Sequence, residues 1–245
     1  MQPQTPILIA HRGGSLEAPE NTMASFRHAI EIGARYVELD VQMTRDGVPV
    51  VLHDPTLDRT TTGKGPVRDV TLADLQSVDA GSHFAPRFAG EHVPTLRDVL
   101  ELCVEAGVGI VTEIKDVRLY IGMEEKVAAL LGEMWTRGAE NLWCISFDHA
   151  AIRKMRTLDG ALPLGYLYPP GQEEFVVPDD TVQAYCPHYQ SPLARPDQVQ
   201  RAHELGKFVF VYTVNTAEDM LAVAEAGVDG MVSDRPTLLL STFNR

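Results

Sequence analysis

Short apolar runs alternate with amphipathic helical patterns along the chain. Residues 21–32, for example, place Phe26, Ala29 and Ile30 on one helical stripe, and Gly33 is typical of a helix end. The strand-like runs are residues 7–11, 36–42, 49–53, 109–114, 142–147, 163–167, 182–186, 208–213 and 230–233. Strands and helices that alternate with short connections predict a parallel sheet covered by helices.

The number of strands favours a closed barrel with one added strand. A (β/α)8 barrel needs eight strands, whereas the chain has nine candidates. The Asp-Gly pair at residues 46–47 is a strong hairpin signal, so residues 49–53 should return antiparallel to residues 39–44, outside the barrel. A turn centred on this pair places Asp40 opposite His53, and a bulge would shift that register by one residue. We therefore expect an α/β fold, a TIM (β/α)8 barrel with a β-hairpin extension after strand 2.

One long segment does not follow the alternation. Residues 55–95 contain a single short helical pattern, which Thr71 would cap. Loops of this length are usually active-site lids or small insertions. Because α/β barrels of about 250 residues occur as one unit, we expect a single domain over residues 1–245 with this insertion inside it.

Composition and charge exclude several classes of function. The net charge of −13 opposes binding to nucleic acid, so any phosphate chemistry would need local cations. No run of about 18 apolar residues is present, so no membrane span is expected. The first residues do not resemble a signal peptide, and Cys103, Cys144 and Cys186 have no ligand-like spacing. These features predict a cytoplasmic protein with reduced thiols.

Three carboxylates lie at predicted strand ends. Glu38 and Asp40 are two residues apart on one strand, so their side chains point to the same side. Glu113 ends another strand, and in α/β barrels the strand ends and the loops after them form the active site. Carboxylates this close repel each other unless a cation neutralises them, and oxygen ligands suit a hard cation. We expect these three residues to hold one divalent cation, Mg²⁺ or Ca²⁺.

Two histidines and two basic residues are expected on the same face. His11 and Arg12 follow the first strand. His53 ends the hairpin strand, and Lys115 lies two residues after Glu113. Histidines suit general acid and base roles near neutral pH, whereas Arg12 and Lys115 would bind an oxyanion. Together with a cation, these groups predict phosphoryl-ester chemistry.

Each of these residues also has an ordinary structural explanation. The two carboxylates of the second strand could pair with Arg35 or Arg45 as salt bridges. Glu113 and Lys115 could form an ion pair on the barrel rim, and either histidine could be a structural group. Asn21 is expected to cap the first helix. Each explanation is reasonable alone, but all of them together are improbable.

The motifs resemble those of a known enzyme family. The chain contains, in order, "AHRGGSLEAPENTMASF", "VELDVQMTRDGVPVVLHD", "LDRTT", "TEIK", "VYTVN" and "AGVDGMVSDRP". The same segments occur in the same order in glycerophosphodiester phosphodiesterases, and the resemblance spans residues 9–236. It is strongest with the short, single-domain bacterial cytoplasmic members.

The resemblance implies a TIM barrel that hydrolyses glycerophosphodiesters, the deacylated phospholipid headgroups, to sn-glycerol 3-phosphate and an alcohol. By motif position, the resemblance implies the same roles that the strand ends indicate. The metal ligands would be Glu38, Asp40 and Glu113, the acid–base pair His11 and His53, and the phosphate-binding pair Arg12 and Lys115. Tyr212, in the VYTVN motif, is a further candidate for substrate contact, but filling the barrel mouth is the explanation that its residue type favours. The loop DVRLYIG after TEIK and the segment at residues 185–195 depart from the family pattern, so the headgroup preference is not implied.

Other functions are compatible with part of this pattern. Lysophospholipase D and phosphatidylinositol phospholipase C enzymes share the barrel and the paired histidines. A sugar-phosphate isomerase would not need three carboxylates, and an amidohydrolase would have a His-x-His pair where this chain has His11-Arg12-Gly13. A non-catalytic phosphodiester-binding protein would keep Arg12 and Lys115 but tolerate loss of a histidine or a carboxylate, and this chain has them all. The expected partner is a small-molecule glycerophosphodiester, and the apolar helix faces leave a homo-oligomer open.

Overall fold

Eight parallel strands form a closed barrel in the computed structural model, which describes residues 5–136 and 141–243. The strands are β1 Ile7–Ala10, β2 Tyr36–Met43, β3 Pro49–Val51, β4 Gly109–Ile114, β5 Leu142–Ser146, β6 Leu164–Tyr168, β7 Ala184–Pro187, β8 Phe208–Val211 and β9 Gly230–Ser233. β1 pairs in parallel with both β9 and β2, which closes the ring. β3 pairs antiparallel with β2 and lies outside it. The predicted TIM barrel with an added hairpin strand is confirmed.

Helices cover the outside of this barrel, and one further short helix lies in the insertion at residues 55–95. In the described residues they are α1 Met23–Glu31, α2 Leu72–Leu75, α3 Leu96–Ala106, α4 Met123–Thr136, α5 His149–Leu158, α6 Gln190–Ala194, α7 Pro196–Glu204, α8 Ala217–Glu225 and α9 Pro236–Phe243. Short 3-10 turns lie at His11–Gly13, Val67–Asp69, Pro86–Phe88 and Val117–Leu119. Over the parts of the chain described, none of the helices combines the length and the apolar character needed to cross a membrane.

The hairpin between β2 and β3 has a different register from the predicted one. Its loop has three residues, 45–47, and ends in Gly47, whose φ is +76°. A three-residue loop with glycine in the left-handed conformation is a common alternative to a two-residue turn. Asp40 therefore lies opposite Leu52, whose amide donates to the Asp40 carbonyl at 3.0 Å. The predicted pairing of Asp40 with His53 is wrong by one residue.

The core has an inner and an outer layer. The outer layer packs the helices against the barrel, and the inner layer fills the barrel interior below the strand ends. The inner residues are Ile9, Val111, Ile145, Leu167, Ala184, Cys186, Phe210 and Val232. Alternation along each strand assigns these side chains to the inside and their neighbours to the outer layer. The interior is thus a packed apolar floor below the strand ends.

The insertion at residues 55–95 has a small core of its own. As predicted, it contains one short α-helix, α2, and the Thr71 hydroxyl caps it by accepting from the Asp74 amide. The apolar residues of this core come from β3 and the insertion, and they are Val50, Leu52, Leu57, Val67, Leu75, Ala80 and Val93. This packing makes the insertion an ordered unit beside the barrel mouth.

Candidate active site

The site residues predicted from the strand ends meet at the mouth of the barrel. Six of the seven line one cavity there, namely His11, Arg12, Glu38, His53, Glu113 and Lys115. The seventh, Asp40, is fully buried and lies 3.0 Å from the Arg12 Nε. The fold therefore collects residues from four separate strand ends in one place.

Glu38, Asp40 and Glu113 form a buried acidic cluster. One carboxylate oxygen of each lies within 4.8 Å of the other two. The parallel register sets Asp40 beside Glu113, and the alternation of side chains puts Glu38 on the same inner face. Burial and the neighbouring carboxylates disfavour ionisation, so the pKa of Glu38 lies well above its usual value. Burial likewise raises the pKa of Glu113 to about 7.

Two cations lie against this cluster. The Lys115 Nζ is 2.9 Å from the Glu113 Oε1 and 3.5 Å from the Asp40 Oδ1. Burial opposes the ionisation of Asp40, but the positive charges of Arg12 and Lys115 outweigh it and lower the Asp40 pKa. Both cations line the cavity, so they also face the space where an anionic ligand would enter.

The acidic cluster fits a hard divalent cation. All three donors are carboxylates, the ligand type that Mg²⁺ and Ca²⁺ prefer. The Asp40 Oδ1 is buried and has no hydrogen-bond partner in the described part of the chain, although the Lys115 ammonium is near. A buried carboxylate oxygen without a donor is costly, and coordination to a cation would satisfy it.

The turn after β1 places His11 and Arg12 at this cluster. The 3-10 turn His11–Gly13 reverses the chain, and the Arg12 amide donates to the Glu38 Oε2 at 3.1 Å. Gly13 has φ of +81°, and a Cβ there would lie 2.4 Å from the Ser25 Oγ of α1. Only glycine permits both this backbone conformation and this close approach.

His11 is held by a carboxylate from the last strand end. Its Nδ1 lies 2.5 Å from the Asp234 Oδ1. Asp234 also accepts from the Ser15 hydroxyl and, at 2.6 Å, from the Asn215 amide. Although burial opposes its ionisation, these bonds hold the Asp234 pKa well below its usual range. An ionised Asp234 makes Nδ1 the protonated nitrogen of His11, which leaves Nε2, 3.7 Å from the Glu38 Oε2, without a proton in the neutral ring.

His53 is held in the same way by its neighbour along the chain. The His53 Nδ1 lies 2.6 Å from the Asp54 Oδ1. Burial lowers the His53 pKa, and the carboxylates of Asp40 and Asp54 only partly oppose this effect. Hydrogen bonds from Arg59 keep the pKa of Asp54 at about 2. His53 therefore presents a neutral Nε2 to the cavity near neutral pH.

Two of the ordinary explanations do not hold. Arg45 pairs with Asp74, at 4.0 Å, and not with the strand carboxylates. Asn21 does not cap α1, because the Thr22 side chain accepts the first amide bond instead. Asn21 has φ of +58°, a conformation that asparagine tolerates, and its amide donates to the Asp40 Oδ2 at 2.8 Å. It therefore supports the acidic cluster.

Tyr212 lines the same cavity with its ring. Its hydroxyl donates to the Tyr168 carbonyl at 2.6 Å, and its ring packs edge-to-face with Phe147 at 5.9 Å between centroids. The hydroxyl is thus occupied, and the ring is the part that faces the cavity.

The position of Asp234 after the last strand predicts that it caps or supports the barrel mouth, but four other polar residues of the site carry no assignment from the sequence. They are Glu20, Asp54, Arg59 and Asn215, and each bonds a residue that the sequence did assign or that residue's partner. All four lie within the motif segments PENT, LHD, LDRTT and VYTVN. They come from different loops, so the spacing along the chain gives no sign that they meet.

Comparison with known proteins gives a consistent result for sequence and structure. The profile of the glycerophosphoryl diester phosphodiesterase family matches residues 11–238. A glycerophosphodiester phosphodiesterase of Caldanaerobacter subterraneus is 40% identical over 98% of both chains. One of Bacillus subtilis is 34% identical over 97% of this chain and 86% of its own. The structure of an Oleispira antarctica phosphodiesterase in complex with the product sn-glycerol-3-phosphate is 30% identical over 98% of both chains, with a TM-score of 0.85.

Proposed function

The chain belongs to the glycerophosphoryl diester phosphodiesterase family and is an enzyme of that activity, and from this premise we propose a metal-dependent, histidine-catalysed mechanism. In this proposal it hydrolyses glycerophosphodiesters to sn-glycerol 3-phosphate and an alcohol. One observation carries the proposal: a buried cluster of three carboxylates borders a cavity that two histidines and two cations line. Hydrolysis of a phosphodiester needs charge neutralisation and proton transfer, and this set of side chains can provide both.

Glu38, Asp40 and Glu113 would hold the cation, Mg²⁺ or Ca²⁺. When bound, it supplies Lewis-acid polarisation of a phosphoryl oxygen. The three carboxylates contribute the negative charge that retains it, and Asn21 keeps Asp40 oriented toward the cluster. The raised pKa values of Glu38 and Glu113 mean that cation binding competes with protons at these two groups.

Arg12 and Lys115 would bind the phosphate group of the substrate. Their side chains are 16% and 14% exposed, and both border the cavity. A guanidinium can donate two bonds to a phosphate, whereas an ammonium acts as a point charge. The Tyr212 ring, which lines the same cavity, would pack against the bound molecule.

His11 and His53 would exchange protons with the reacting groups through Nε2. One takes the proton of the nucleophile, and the other protonates the departing alkoxide. Both have Nδ1 fixed by a carboxylate, so the fold offers two equally prepared groups. The nucleophile is either water or the glycerol 2-hydroxyl, and a cyclic phosphate seen by ³¹P NMR during turnover would identify the hydroxyl.

The proposal is tested by release of sn-glycerol 3-phosphate from glycerophosphocholine and glycerophosphoethanolamine. Turnover should be abolished by EDTA and recovered with Mg²⁺ or Ca²⁺. Release that continues in EDTA would contradict the metal dependence. No release with either cation would contradict the substrate class, and lysophospholipids and inositol phosphodiesters would then be assayed with the same preparations.

We also propose that the enzyme works in the cytoplasm. Cys103, Cys144 and Cys186 are unpaired and buried, and burial raises the pKa of the Cys103 thiol to about 12. Such thiols are inert packing groups, and unpaired cysteines of this kind are typical of reducing compartments.

A further inference from the structure

Arg59 connects the insertion to both sides of the active site. It lies in the LDRTT segment, and its guanidinium contacts two carboxylates. Toward Asp54, its Nε lies 2.7 Å from Oδ2 and its Nη2 3.1 Å from Oδ1. Toward Glu20, its Nη1 lies 2.8 Å from Oε2 and its Nη2 2.8 Å from Oε1. Arg59 thus makes a bidentate contact with each.

Each of these carboxylates holds a residue proposed to act on the substrate. Asp54 Oδ1 accepts from the His53 Nδ1 at 2.6 Å. Glu20 Oε1 accepts from the Arg12 Nη1 at 3.0 Å. His53 follows β3 and Arg12 follows β1, so no backbone pairing joins the two positions. The guanidinium of Arg59 therefore bridges the supports of an acid–base residue and a phosphate-binding residue.

In the described residues, the only other side-chain hydrogen bond of each carboxylate is the one to the residue that it supports. Asp54 is one residue after His53 and could rotate toward solvent, since its side chain is 26% exposed. Burial opposes the ionisation of Glu20, but hydrogen bonds from Arg59 and the charge of Arg12 lower its pKa. Two bidentate contacts to one planar guanidinium set the positions of both carboxylates, which a lysine could not do.

We propose that Arg59 is a positioning residue, which aligns His53 with Arg12 through Asp54 and Glu20. The proposal rests on the proposed function, because the aligned groups are those assigned to proton transfer and phosphate binding. Small misplacements of such groups cost up to about 10²-fold in rate. Arg59 itself need not touch the substrate, since it is not among the residues that line the cavity.

The first test compares Arg59→Met, Arg59→Lys and Arg68→Met on glycerophosphocholine with added cation. Arg68 is a matched control, since it is 48% exposed against 46% for Arg59, lies in the same insertion and pairs only loosely, at 4.0 Å, with Asp69. We expect kcat to fall by about 10- to 100-fold in Arg59→Met, with at most partial recovery in Arg59→Lys. Arg68→Met should stay within about twofold of the wild type. A kcat for Arg59→Met within about threefold of the wild type would overturn the proposal.

A double-mutant cycle separates positioning from a general loss of structure. If Arg59 acts through Asp54, then Arg59→Met should reduce kcat much less in an Asp54→Asn background than in the wild type. Arg59→Met should likewise reduce kcat much less in a Glu20→Gln background than in the wild type. Reductions that simply multiply in both backgrounds would mean that Arg59 acts by another route, and the proposal would be wrong.

A spectroscopic readout does not depend on turnover. The His53 Nδ1 proton, bonded to Asp54, should give a downfield ¹H NMR signal that is identified by its loss in His53→Gln. We expect this signal to disappear or broaden in Arg59→Met and to persist in Arg68→Met. Persistence of the signal in Arg59→Met would overturn the proposal for Arg59, whether or not the wild type is active. A wild type that is inactive on glycerophosphodiesters would contradict only the proposed function.

Discussion

At the scale of single residues, each candidate acid–base histidine has one ring nitrogen bound to a carboxylate, so only the other nitrogen can exchange a proton with a substrate. We expect His11→Ala and His53→Ala each to lower turnover by about 10²- to 10⁴-fold. His203→Ala is the matched control, because His203 also bonds a carboxylate, Asp229 at 2.9 Å, but lies at the opposite end of the barrel. A loss below about fivefold at His11 or His53 would contradict that residue's role.

Asp234 gives a second test at this scale. Its low pKa keeps it ionised throughout the neutral range, so it fixes the proton of His11 on Nδ1. In Asp234→Asn the amide could donate to Nδ1 and favour the wrong tautomer, which in a comparable triad costs up to about 10⁴-fold. We expect at least a tenfold loss of kcat, measured with saturating cation. An unchanged kcat in a variant with wild-type circular dichroism would mean that Asp234 is only structural.

The sequence predicts single residues well where strand geometry decides their direction. The two-residue spacing of Glu38 and Asp40 was enough to place them together, because alternation in a strand has a period of two. No such period applies to loops. Arg59 and Glu20 are 39 residues apart and meet only because the insertion packs beside the barrel mouth. Such long-range contacts between loops depend on the tertiary structure.

At the scale of elements, the nine strands were predictable because each is an apolar run between turn signals. The register of the hairpin could not be predicted, because an Asp-Gly pair fits both a two-residue turn and the end of a three-residue loop. The three-residue loop shifts the pairing of Asp40 by one residue, so that Asp40 lies opposite Leu52 and not His53. A turn signal therefore fixes that a hairpin forms but not which residues face each other.

The insertion offers a test of element stability through Asp79. Its carboxylate accepts bonds from Ser82 and from the backbone amides of Gly81 and Gly90, at 2.7 to 2.8 Å. These bonds hold the Asp79 pKa far below its usual 3.8. The folded pKa is depressed, so the stabilisation is complete above about pH 4 and is lost as the pH falls further.

We therefore expect Asp79→Asn to lower the thermal unfolding temperature at about pH 7, and the difference from the wild type to shrink at about pH 3. Asp180→Asn is the control, since the Asp180 side chain is fully exposed and its nearest cation, Lys207, is 4.0 Å away. A difference that is the same at both pH values would contradict the charge-based explanation. Scanning calorimetry across this pH range makes the measurement.

At the scale of the whole molecule, an acidic protein concentrates cations where its substrate would bind. The net charge of −13 gives no long-range attraction for a phosphodiester. In the proposed function, Arg12 and Lys115 would instead act at short range, inside a mouth whose carboxylates would themselves be neutralised by a divalent cation. The barrel sets these groups on neighbouring strands above an apolar floor, so the fold supplies the low-dielectric surroundings in which the charges interact strongly.

The cation should therefore stabilise the whole fold, in a way that depends on pH. In EDTA, Glu113 keeps its proton up to about pH 7 in the folded state, whereas it ionises near 4.5 when unfolded. A folded state that binds more protons loses stability as the pH rises through this window. Bound Mg²⁺ or Ca²⁺ would replace the proton and add about 2.7 kcal/mol at 100 times its Kd. We expect the unfolding temperature in EDTA to fall between about pH 5 and pH 8, and a saturating cation to restore it most at the higher pH. In Glu113→Gln the fall should be smaller, because only the raised pKa of Glu38 would still contribute to it, and the restoration should be much smaller. An equal rise on adding cation to this variant would mean that the cation binds elsewhere.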